Sequence, residues 1–74
     1  MRIAAKRRGE RTSRDHYIDE LNQVQYDIDV TRRRFNMATE KELIDQCVFE
    51  LNALQSRYTY FLRLIKEVEH AEIG

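Results

Sequence analysis

Eight apolar positions in the second half of the chain, Ile44, Cys47, Leu51, Leu54, Tyr58, Phe61, Ile65 and Val68, recur at alternating intervals of three and four residues without a break. That spacing holds all of them on one stripe of an α-helix, whereas a strand, with its period of two, would scatter them over both faces. A shorter stripe precedes it. Tyr17, Leu21, Val24, Ile28 and Phe35, with Thr31 in step, follow the same alternation. The chain has no proline and only two glycines, Gly9 and Gly74, so neither stripe contains a helix breaker.

The two stripes do not join into one long helix. Continuing the heptad of Leu21, Ile28 and Phe35 would bring position 42 to the apolar face, and that residue is Glu42. The second stripe runs instead through Ile44, a slip of two residues, whereas coiled coils absorb insertions of three or four. Thr39-Glu40-Lys41-Glu42 also matches the capping box that starts a helix, and Thr12 with Asp15 marks a start for the first. Arg32, Arg33 and Arg34 fall in the last turn of the first helix, where cations favour the negative end of the dipole. The expected fold is all-α: a two-helix antiparallel hairpin with helices over about 13–36 and 40–70 and a turn at about 36–39. At about 1.5 Å per residue the second helix should overhang by roughly 10 Å.

Neutral overall charge, thirteen bases against thirteen acids, hides an asymmetry. Residues 1–14 carry Arg2, Lys6, Arg7, Arg8, Arg11 and Arg14 against the single acid Glu10, a net +5, and residues 15–74 carry the compensating −5. The domain division is therefore a flexible basic arm over 1–14 and a hairpin over 15–74. The arm is the segment placed to meet Glu67, Glu69 and Glu72 on the overhang.

The second helix has another apolar face. Phe49, Ala53, Ser56, Tyr60 and Leu64 lie at i, i+4, i+7, i+11 and i+15, nearly opposite the first stripe, and the first helix adds Tyr26 and Val30 on its outer side. Tyr26 is expected at about the height of Phe49. A helix apolar on two sides is buried on two sides, and 74 residues make a marginal core alone. Self-association into a homodimer or higher helical bundle is the expectation, with Tyr26, Val30, Phe49, Ala53, Tyr60 and Leu64 as the interface.

From Phe35 the chain reads F-N-M-A-T-E-K-E-L-I-D-Q-C-V-F-E-L-N-A-L-Q-S-R-Y-T-Y-F-L-R-L-I-K. With a first helix ending in Phe, an "ELID" segment, and the run Glu50 to Ala53, Arg57 to Leu62 and Lys66, it resembles the YaaL-like family of small bacterial proteins. The likeness covers roughly residues 15–67 and departs from the family at Phe49 and Leu54. It implies a helical hairpin and no chemistry, because the family has no established activity, cofactor or catalytic residue. Some members are encoded near recombination-repair and sporulation genes, which implies a DNA-associated or regulatory setting. Phe49-Glu50-Leu51-Asn52 is a more distant likeness to the motif of Spo-zero-E-type phosphatases, lacking its leading Ser-Gln and its Asp.

Catalytic and metal constellations are thin. Glu67-Val68-Glu69-His70 has the Glu-x-x-His spacing of di-iron bundles, but no inward acid of the first helix falls at its level. Cys47 sits on the apolar stripe with no His at i±3 or i±4, so it reads as core rather than nucleophile, and a single cysteine excludes a disulfide framework. No Gly-rich phosphate loop or Ser-His-Asp set is present. Apolar runs stop at three residues, too short for a bilayer span or a secretory leader, so a cytoplasmic protein is expected. The functional expectation is a non-catalytic protein–protein interaction module without cofactor or metal. The alternative is a weak, sequence-indifferent nucleic-acid-associated protein using Arg2, Lys6, Arg7, Arg8, Arg11 and Arg14.

Overall fold

The structure, a computed structural model, describes residues 12–73, which form two α-helices, α1 over Ser13–Met37 and α2 over Lys41–Ile73. They pack antiparallel as an all-α hairpin. Arg2, Lys6, Arg7, Arg8 and Arg11 lie outside the described residues, whereas Arg14, assigned above to the arm, belongs to the first turn of α1.

The start of α1 is fixed by local chemistry. Thr12 is extended, with φ −93° and ψ 169°. Its hydroxyl accepts from the Asp15 amide at 3.1 Å, and the Asp15 carboxylate accepts from the Thr12 amide at 3.3 Å. Two backbone donors that a helix start leaves without intrahelical partners are satisfied reciprocally. At the other end Ala38 leaves the helix at φ −75°, ψ 139°, and its amide donates to the Phe35 carbonyl at 3.2 Å.

The second helix begins one residue later than its motif implies. The Ile44 amide donates to the Glu40 carbonyl at 3.0 Å, which puts Glu40 at the N-cap position. The third helical residue is then Leu43, so Thr39 and Glu42 fall out of the register a capping box needs. Replacing Thr12 by Ala should therefore cost about 1 kcal/mol, and Thr39→Ala only a few tenths. Chemical denaturation of the two variants checks the assignment, and equal losses would contradict it.

Both stripes face each other. Val24, Ile28 and Thr31 of α1 and Cys47 and Ile65 of α2 are buried. Tyr17, Leu21, Ile44, Leu51, Leu54, Tyr58, Phe61 and Val68 are half-buried around them, and Phe35, at the last turn of α1, is more exposed. Tyr17 meets Phe61 with ring centroids 6.2 Å apart. Ion pairs tie the register along the hairpin: Arg34 to Glu50 at 3.1 Å, Arg57 to Glu20 at 3.8 Å, and Arg14 to Glu69 at 2.6 Å. These are surface pairs worth about 0–1 kcal/mol each, so they select register more than they add stability. Extents of 60 × 25 × 12 Å describe a single layer of two helices. Such a layer has two open faces, which is why so few stripe residues reach full burial.

Candidate interaction surface

The groove on one face of the hairpin collects residues from both helices. Tyr26, Val30 and Thr31 of α1 and Ala53 and Leu54 of α2 line an open cavity of about 440 Å³, and Asp27, Arg34, Glu50 and Arg57 complete its wall. Three of the six expected interface residues, Tyr26, Val30 and Ala53, thus meet at one place. Phe49 stands one helical turn from Ala53, and Tyr60 and Leu64 continue the same helix face toward the C-terminus. Tyr26 is 60% and Phe49 75% exposed, so water covers most of both rings in the lone chain, while Tyr60, at 47%, also packs against Phe61 and Arg63.

Two expectations need correction. Tyr26 shares its cavity with Ala53 and Arg57, which lie one and two turns beyond Phe49 on α2, rather than with Phe49 itself. Ser56, on the outer stripe of α2 between Phe49 and Tyr60, lines a groove with Asn52, Gln55 and Thr59, and Gln25, Ile28 and Arg32 meet Gln55, Tyr58 and Thr59 in a neighbouring one. The hairpin therefore has an aromatic face at Tyr26, Val30 and Ala53, and a second face that is mostly polar with Ile28 and Tyr58 in its floor.

Four charged residues escaped the search for apolar periodicity. Asp27 and Arg34 are spaced by seven on α1, and Glu50 and Arg57 are spaced by seven on α2. They belong to a nine-residue correspondence: Tyr26-Asp27-Ile28-Asp29-Val30-Thr31-Arg32-Arg33-Arg34 against Phe49-Glu50-Leu51-Asn52-Ala53-Leu54-Gln55-Ser56-Arg57. Each reads aromatic, acid, aliphatic, Asp or Asn, small apolar, core residue, two polar positions, Arg. Aligning the two helices of the chain with each other is the signal that finds these residues. In an antiparallel hairpin the correspondence becomes an approximate two-fold normal to the face. Val30 and Ala53 sit at its centre, Arg34 and Glu50 at one end, and Asp27 and Arg57 at the other. Sequence periodicity also overlooked Met37, which is 81% exposed at the end of α1 and stands at the same spacing from Tyr26 as Tyr60 from Phe49.

Elsewhere the chemistry is structural. Cys47 is fully buried between the helices. His16 is exposed and its ring lies 5.9 Å from that of Tyr17. Glu67 is held by Arg63 at 3.9 Å and Glu69 by Arg14, so the acid expected to meet the arm is met from α1. Among the described residues no three His, Cys, Asp or Glu side chains are grouped to hold a metal ion, and no helix is long and apolar enough to cross a membrane. In comparisons with known proteins no family model, no curated protein and no solved structure matches this chain.

Proposed function

We propose that this protein is a non-catalytic, cytoplasmic interaction module that self-associates and binds proteins through the face carrying Tyr26, Val30, Phe49, Ala53, Tyr60 and Leu64. The contrast between the two faces of the hairpin carries this reading. Tyr26, Val30, Ala53 and Leu54 share one open cavity with a charged border, whereas the exposed residues of the other side are mostly Asn, Gln, Ser and Thr. Isolated exposed apolar side chains are ordinary, but apolar residues gathered in one cavity with a charged border have the composition of a binding surface. The resemblance to YaaL-like proteins fits a small helical adaptor and supplies no chemistry. Affinity capture from native lysate at two salt concentrations tests the proposal. A protein retained at high salt by the native chain and lost with Phe49→Lys supports it, and identical capture by both contradicts it.

Charge asymmetry supports a second reading, in which the basic N-terminal residues touch nucleic acid. Binding through three to five phosphates should fall with a slope of roughly −3 to −4.5 in log K against log salt on duplex DNA. Retention at low salt, lost at physiological salt, is the expected result. Replacing Arg2, Lys6, Arg7, Arg8 and Arg11 by Gln should abolish it, and unchanged retention would remove these residues from the account.

A further inference from the structure

We infer that the aromatic face is built to receive a second copy of the same chain, laid face to face so that Asp27 and Glu50 of each copy meet Arg34 and Arg57 of the other. The inference rests on the reading of this face as a self-association surface and adds how the two copies pair.

Charge order around the groove is the main argument. Going round it, Arg34 is positive, Glu50 negative, Arg57 positive and Asp27 negative. Turning a second copy over about an in-plane axis, either along or across the helices, places every corner on one of opposite sign. In both arrangements each helix lies against an antiparallel neighbour, as in an up-and-down four-helix bundle. A two-fold contact uses one patch twice, so the patch must complement itself, and an alternating square of charges does. The two acids and two bases of the square cancel, and Arg57 also pairs with Glu20 within its own chain at 3.8 Å. A polyanion or a strongly acidic peptide would meet like charge at two corners, and the same square penalises it.

Shape agrees with charge. Val30 and Ala53 are the smallest apolar side chains of the face and occupy its centre, which permits helix axes to approach to about 8–10 Å. Tyr26 and Phe49 stand at corresponding positions beside the acids, and both are largely exposed in the lone chain. The 25 residues of α1 give a shared length of about 37 Å, and over the 25 Å width of the hairpin that is close to the roughly 800 Å² per partner that a specific interface buries. The partner would also supply the second layer that Leu54, Val30 and Leu64 lack in the lone hairpin.

The test uses two full-length variants, Asp27→Arg with Glu50→Arg, which makes all four corners positive, and Arg34→Glu with Arg57→Glu, which makes them negative. Light scattering at micromolar concentration should give the native chain about twice its 9.0 kDa mass. Each variant alone should give the single-chain mass, and an equimolar mixture should recover the doubled mass. If a variant loses its helical circular-dichroism signal alone, the readout becomes recovery of that signal on mixing. Three results overturn the inference: a native chain of single-chain mass, variants that keep the native mass alone, or a mixture that recovers neither mass nor helicity. A native chain of single mass that still captures another protein through Phe49 would overturn the self-pairing and leave only the binding of other proteins by this face.

Discussion

Ile28→Ala or Ile65→Ala should lower the thermal midpoint of this protein by at least about 10 °C, the largest effect expected of any single truncation. Both residues are nearly sealed from water, at 5% and 7% exposure, in a core with few other buried side chains. Shortening a buried isoleucine to alanine costs about 2–5 kcal/mol, partly from lost transfer energy and partly from the cavity left behind. A domain holds roughly 0.05–0.15 kcal/mol per residue, so a chain this short has on the order of 5–10 kcal/mol in total. One such change removes a large share of it, and each kcal/mol moves the midpoint of a small domain by about 4–8 °C. Val48→Ala is the control, because Val48 is 42% exposed on α2 and should cost less than about 1 kcal/mol. Thermal melts followed by circular dichroism at one protein concentration decide the matter. Equal midpoints for Ile28→Ala and Val48→Ala would mean that the stripes do not pack as described.

The second large effect is on association. Tyr26→Lys combined with Phe49→Lys should weaken binding to the aromatic face by about 2–4 kcal/mol, the range of aromatic hot spots, or roughly 30- to 1,000-fold in the dissociation constant. Helicity should be unchanged, since both residues are exposed in the single hairpin. Sedimentation velocity over a concentration series measures the shift. Loss of helicity at high dilution would place these rings in the fold itself. An unchanged constant would place the binding surface elsewhere.

The contrast between these two effects reflects what periodicity in a sequence can reveal. Val24, Ile28, Cys47 and Ile65 were legible because a helix buried on one side must repeat apolar residues every three or four positions. Thr12 was legible because its hydroxyl and the Asp15 carboxylate satisfy each other within four residues, with no help from the rest of the chain. Thr39 misled for the opposite reason. Its motif is equally local, but Ala38 to Glu40 must also reverse the chain and deliver Ile44 and Cys47 to the side facing α1. A cap worth about 1 kcal/mol yields to that requirement.

The exposed aromatic face is only half legible. Tyr26, Phe49 and Tyr60 stand out as apolar residues off the main stripe, while Ser56, on the same stripe of α2, lines a groove with Asn52, Gln55 and Thr59. Asp27, Arg34, Glu50 and Arg57 carry no apolar periodicity, and their alternation of charge exists only once antiparallel packing sets α1 beside α2. Arg14 was assigned to the arm by the charge run around it, although its place follows from the Thr12 cap, which opens the helix at Ser13. Charge composition located the base, and local hydrogen bonding decided its structure.

Hydroxyl-radical footprinting of the full-length chain, once purified and dilute and once in native extract, tests the central claim most directly. In the dilute chain Tyr26, Phe49 and Tyr60 should label readily, as their exposure requires. In the extract their labelling should fall several-fold, while exposed His70, which shares the α2 stripe of Asn52 and Thr59 on the other side of the hairpin, labels equally in both samples. Equal labelling of Tyr26, Phe49 and Tyr60 in the two samples would contradict the account, because a face that stays open to water in the presence of its partners is not an interface.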